Sequence, residues 1–217
     1  MELGFRLVVD IKIDEIINNG KKLELSKNSE NKNVLNFLMS FIFLFPLFYY
    51  ANIYYFSVTT TGSAHFCPFL ANHLNYIRGL RLLLLNCSSQ ILNWLGFAAI
   101  TNEYDLLVAG HGSIKLVYSC LGLGVISFFS AFVLSYPKNW EPKVIFLISG
   151  VLGIEILNII RFVLLSLFWD KHKNQVIDHH FIFNIFIYLI ILASLYFWVK
   201  NDKLSNKNNA ANRSVNL

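Results

Sequence analysis

Along this chain the apolar positions gather into long runs separated by short polar links, and one amphipathic stretch interrupts the pattern. Val34 to about Phe56 forms the first run, long enough to cross a bilayer, with Tyr49, Tyr50, Tyr54 and Tyr55 placed as an interfacial belt. Pro46 is a site for a kink within it. After the polar link Thr59-Thr60-Thr61-Gly62-Ser63, apolar residues from Asn72 to about Ala99 recur at helical spacing among Asn75, Arg78, Arg81, Asn86, Gln90 and Asn93. That spacing predicts an amphipathic helix, which either spans against other helices or lies in the interface. Residues 100–119 change period, with two short β-prone runs around Gly110-His111-Gly112. They predict a small hairpin outside the hydrocarbon, where unpaired strand edges would be costly.

Three further apolar helices are expected, from about Leu121 to Tyr136, Val144 to Trp169, and His179 to Val199. Residues 1–33 read as a polar, partly disordered extension without a cleavable leader. Residues 200–217 read as a basic tail. The fold class is therefore an all-α integral membrane protein: a multipass bundle of about four to five transmembrane helices, with a small extracytoplasmic β-hairpin before the helix that starts near Leu121. The membrane-embedded domain spans residues 34–199.

Composition agrees with this pattern. Of the 217 residues 55% are hydrophobic and 14% charged, against roughly a quarter charged in a soluble domain. The net charge of +5 sits in the two ends and the short loops, which points to membrane orientation and excludes nucleic-acid binding as a reading. Lys138 and Lys143 in one loop, and the basic tail, belong in the cytoplasm by the positive-inside rule. The segment between Trp169 and His180 then lies outside, as does the start of the helix near Leu121. With a cytoplasmic N-terminus, favoured by Lys21, Lys22, Lys27 and Lys32, the stretch 72–99 stays outside or re-enters. If it spans instead, the N-terminus is outside.

This topology brings candidate chemistry to one level. Cys120 stands where polar sequence turns into an apolar helix, with Gly122 and Gly124 just after it. A thiol at a helix N-terminus feels the positive end of the macrodipole, which favours the thiolate. Arg161 lies about 17 residues beyond the cytoplasmic start of its helix, roughly 26 Å at 1.5 Å per residue, and so near the outer boundary. An arginine inside a membrane helix is expensive and points to function, with snorkelling to the headgroups as the equal alternative. His179 and His180 open the last helix at the same level. A thiolate with a histidine and an arginine is equipment for acyl transfer through a thioester: the histidine acts as acid and base, and the arginine steadies an oxyanion or holds a carboxylate.

Cys120-Leu-Gly122 at a strand-to-helix junction, Asn158-Ile-Ile-Arg161 late in the next helix and Asp178-His-His180 opening the last resemble the exosortase/archaeosortase family, over about residues 72–199. The chain looks most like the short members of Bacteroidetes type. The resemblance implies a multipass membrane cysteine transpeptidase with a Cys–Arg–His triad. Such an enzyme cleaves exported proteins at a C-terminal sorting signal, made of a short motif, a membrane helix and a basic tail, for surface anchoring or export. It implies Cys120 as nucleophile, Arg161 as the electrophilic or positioning residue, and His179 or His180 as the acid/base, with His179 preferred. Asn158 would hydrogen-bond Arg161 or hold substrate, and Gly122 would let a peptide backbone approach the thiol, although helix packing explains the glycine equally. Leu121 after the cysteine, and His180 directly after His179, depart from the family pattern. No cofactor or metal is expected, and the site is expected on the extracytoplasmic face of the plasma or inner membrane.

Two other classes of protein are compatible with these residues. A non-catalytic membrane scaffold or assembly factor would keep the fold without using the triad. A metal- or haem-handling protein would use His111, His172, His179 and His180, which lack the spacing that puts two ligands on one helix face. Cys67 and Cys87 read as small interfacial residues, and no second cysteine is placed to resolve Cys120.

Overall fold

The computed structural model describes residues 2–168 and 184–201. In chain order its elements are α1 (Glu2–Thr59), α2 (Pro68–His73), α3 (Tyr76–Trp94), β1 (Ala99–Thr101), β2 (Asp105–Val108), β3 (Gly112–Lys115), a 3-10 turn (Tyr118–Leu121), α4 (Leu123–Ser135) and α5 (Trp140–Phe168). The last described helix, α6, covers Asn184–Asn201.

Helices α1, α4, α5 and α6 form a bundle, and neighbours run antiparallel. The ring contacts between α1 and α4 show the direction: Phe37 meets Phe132 and Tyr136, Phe41 and Phe45 meet Phe128, and Phe56 meets Tyr118. The end of α1 at Thr59 therefore lies beside the start of α4. Lys27–Thr59, Trp140–Phe168 and Asn184–Asn201 are long and apolar enough to cross a membrane, and α4 is a shorter apolar helix. Their outward faces carry large apolar side chains such as Phe43, Ile145, Leu152 and Leu189, a surface that suits hydrocarbon and not water. Residues 1–33 were expected to be a polar, partly disordered extension; the backbone is helical from Glu2 and continues into the first span.

The core has two storeys. The lower one holds Phe129, Val133, Ile154, Ile187, Ile191 and Leu195 between α4, α5 and α6. It is tight: a Cβ on Gly150 would stand 2.1 Å from Phe129 Cζ. The upper one joins Ile77, Leu84, Leu85 and Leu92 of α3 to Leu106 and Val108 of the sheet, to Cys120 and Leu121, and to Phe162 and Val163 near the end of α5. Helix α3 thus caps the bundle with one buried face, and it is not among the helices long and apolar enough to span.

The single helix expected over 72–99 is two helices and a strand. Asn75 starts α3 by accepting the Arg78 N–H at 2.9 Å, an N-cap that separates it from α2. Gly96, at φ +90, ends the helical stretch and frees Ala99–Thr101 to pair with β2. The expected hairpin is present as β2–β3, with Val108 opposite Gly112, inside a three-stranded antiparallel sheet of order β1-β2-β3.

A polar thread ties cap to bundle. Tyr76 Oη donates to Asn52 Oδ1, Asn52 Nδ2 donates to Ser127 Oγ at 3.1 Å, and Ser127 Oγ donates to the Leu123 carbonyl at 2.7 Å. Of the four tyrosines expected as a belt, Tyr49, Tyr50 and Tyr54 are exposed, whereas Tyr55 packs at a tilt against Tyr76. At the opposite end of the bundle Lys143 Nζ donates to the Leu134 carbonyl at 3.0 Å, a cation at the C-terminus of α4, and Lys138 lies over Trp198.

Candidate active site

The thirteen residues of α4 give about 20 Å of helix, short of the about 30 Å of a hydrocarbon core. The turn before it therefore lies below the rim of the longer helices, under α3 and the sheet. Cys120 occupies that turn and is 7% exposed. Its N–H donates to the Val117 carbonyl at 2.9 Å, which closes the 3-10 turn. The chain then passes through Gly122 at φ +72 and enters α4. A side chain there would be strained, and the place its Cβ would take is 2.4 Å from Asn158 Nδ2. Glycine at this position lets the start of α4 sit against α5.

Arg161 is 4% exposed and reaches two partners. Its Nη2 donates to the Cys120 carbonyl oxygen at 3.0 Å, and its Nη1 donates to Asn184 Oδ1 at 2.8 Å. The guanidinium also interacts electrostatically with the Cys120 thiol and with Tyr188. Snorkelling to the headgroups therefore does not describe this arginine, because its charge points inward onto the cysteine turn. Asn158, 2% exposed, stands one turn earlier on the same helix, and its amide lies toward Glu155 without a hydrogen bond of good geometry from Nδ2. The Arg161 Nε is likewise buried and unpaired. Buried donors without good partners are costly in a low-dielectric setting, and both of these residues line the same small region.

That region contains a cavity of about 80 Å³, lined by Ser119, Gly122, Asn158, Arg161, Asn184 and Tyr188 among others. An apolar groove of about 360 Å³ between α1, α4 and α6 shares Gly124 and Tyr188 with it. Beside the cysteine turn, burial and the nearby Tyr49 push the Tyr118 phenol above its ordinary value, so it stays neutral and packs on Phe56.

Of the residues singled out in the sequence, the structure brings Cys120, Gly122, Asn158 and Arg161 together. His179 and His180, with Asp178, lie outside the described residues. Asn184 was missed. Its signal was a lone amide in the apolar run Phe181-Ile-Phe-Asn-Ile-Phe, one turn after His180. Glu155 was also passed over; it lies one turn before Asn158, with both carboxylate oxygens buried and without a hydrogen bond of good geometry. Among the described residues no group of three His, Cys, Asp or Glu is placed to hold a metal, and His111 packs edge-on against Phe97.

A bundle of apolar helices, capped at one end, with a buried cysteine held by an arginine from the next helix, defines a class of membrane-embedded thiol site. A family model described as transmembrane exosortase matches residues 41–197, and the chain belongs to that family. No curated protein and no solved structure matches it. The family is one of membrane cysteine transpeptidases that act on exported proteins with C-terminal sorting signals, and the protein is accordingly a membrane protein.

Proposed function

We propose that this protein cleaves the C-terminal sorting signal of exported proteins through a thioester on Cys120, and passes the released acyl group to water or to an amine for surface anchoring or export. The observation that carries this reading is the bond from Arg161 Nη2 to the Cys120 carbonyl at 3.0 Å, which couples a buried cation to the cysteine turn, whose flanking residues Ser119 and Gly122 line the cavity.

In this reading Cys120 Sγ attacks the scissile carbonyl. The Arg161 guanidinium, held at two nitrogens, stabilises first the thiolate and then the tetrahedral oxyanion, with its unused Nε and the Asn158 amide as further donors. Preorganisation supports this role, because a cation already fixed by Cys120 and Asn184 needs no reorientation when charge develops. His179 or His180 takes the thiol proton and returns it to the leaving amine. The amine departs with the substrate's membrane helix, and the thioester remains on Cys120 until an acyl acceptor arrives. Lys138, Lys143 and Lys200 gather at the end of the bundle away from Cys120, which supports an extracytoplasmic site by the positive-inside rule. Co-expression with a protein ending in motif, apolar helix and basic tail tests the reading. Cys120→Ala is expected to abolish processing at normal protein levels, and continued processing would overturn it.

A further inference from the structure

A second charged group is buried in the cap, away from the cysteine. Arg81 on α3 is 6% exposed, yet no carboxylate lies within 4.0 Å of it among the described residues, and its side chain makes no hydrogen bond. The Nε is sealed among protein atoms, and the Tyr104 ring lies 4.5 Å from Cζ. A cation–π contact offsets part of the cost of burying a guanidinium and supplies no hydrogen-bond acceptor. The acid in the cavity lining is already engaged: Glu103 Oε1 pairs with Arg78 Nε at 3.0 Å.

Arg81 borders a cavity of about 190 Å³, enclosed by the end of α1, by α2 and α3, and by Glu103 and Tyr104 before β2. Two side chains at its rim, Thr61 and Asn72, carry donors that nothing among the described residues uses. With Arg78 and Glu103 cancelling, the lining keeps one net positive charge, that of Arg81. A buried, planar five-donor group at the base of a polar cavity, with hydroxyl and amide donors around the mouth, lacks one component, an anion rich in oxygen acceptors. The cavity also lies where α1 ends, the headgroup level for a helix that spans. Phosphate fits this position better than a carboxylate, since a tetrahedral oxyanion accepts from the floor and from several sides of the rim at once.

We infer that the α1–α3 cavity is a phosphate-binding site with Arg81 as its anchor, filled by a phospholipid headgroup or by free phosphate. The site is separate from Cys120, and it stands or falls independently of the cleavage reading.

The test uses the full chain purified in phosphate-free dodecyl maltoside, with the thermal midpoint followed by tryptophan fluorescence. The probes are inorganic phosphate, soluble dihexanoyl phosphatidic acid, and acetate at matched ionic strength. A saturable rise with both phosphate probes supports the site, with free phosphate sufficient; a rise with the lipid alone supports it and identifies the headgroup as the source. Arg81→Gln is expected to weaken phosphate binding by about thirtyfold or more, the usual effect of removing one partner of a buried charge contact. Glu103→Gln, at a half-buried position, is expected to tighten binding several-fold by removing the one negative charge in the lining, so the proposal stays testable if Arg81→Gln fails to fold. Cys120→Ala is expected to bind phosphate as the unaltered chain does. No shift with either phosphate probe, an equal shift with acetate, or looser binding in Glu103→Gln would overturn the inference.

Discussion

The carbonyl oxygen of Cys120 accepts a hydrogen bond from Arg161 Nη2 at 3.0 Å across 41 residues of sequence. This bond fixes the cysteine turn to α5, while Arg161 Nη1 fixes α5 to α6 through Asn184. One guanidinium therefore sets the mutual placement of three helices at the level where the thiol sits. A flexible ammonium cannot reproduce the fork. Arg161→Lys is accordingly expected to lower processing of a sorting-signal substrate by about a hundredfold or more, as loss of a preorganised oxyanion donor does elsewhere. Near-normal processing by the lysine variant, measured by immunoblot of a co-expressed substrate, would show that charge alone suffices.

Asn184 accepts from Arg161 Nη1 at 2.8 Å and lines the cavity beside it. Replacing it with leucine keeps the volume and leaves Nη1 unpaired in a buried place, at a cost of about 1–3 kcal/mol. Thermal unfolding in detergent should show that loss. Asn184→Asp, which keeps the acceptor oxygens, should retain more stability than Asn184→Leu.

Gly122 answers to two demands at once, a positive φ and the close approach of Asn158. Gly122→Ala is expected to cost about 1–3 kcal/mol from the backbone alone, with the clash added. In a double-mutant cycle with Asn158→Gly, the clash component should disappear and the backbone component remain. Strict additivity of the two changes would contradict the observed packing.

How much of this was legible in the sequence differs from element to element. The long apolar helices were, because twenty-residue hydrophobic runs admit few alternatives in a membrane chain. So was the β2–β3 hairpin, marked by Gly110 and Gly112. Strand β1 was not, since the helical spacing carries to about Ala99 and the two β-prone runs lie around Gly110 and Gly112, so Gly96 is not recognised as the stop before Ala99–Thr101. Cys120, Asn158 and Arg161 stood out by residue type and order. Their partner Asn184 did not, because a single amide in an apolar run carries no motif, and its role depends on where α6 packs. Arg81 read as one polar position among many on an amphipathic helix, and its burial followed only from the docking of α3 against the sheet.

The lower storey offers a control on stability that leaves the site alone. A Cβ at Gly150 would fall 2.1 Å from Phe129 Cζ, and Phe129 is 2% exposed with little room to yield. Gly150→Ala should destabilise by about 1–3 kcal/mol through overpacking. Processing per folded molecule should stay unchanged, as checked by comparing unfolding midpoints with turnover normalised to folded protein.

The central claim is a covalent one, so the most direct measurement is the mass of the protein caught during turnover. Purified full-length chain is mixed with a sorting-signal substrate, quenched in acid and analysed by peptide mass spectrometry. The account predicts an acyl fragment of the substrate attached to the Cys120 peptide, released by hydroxylamine and lacking in Cys120→Ala. Substrate cleavage with no adduct on Cys120 at any quench time, or the same adduct on Cys67 or Cys87, would contradict it.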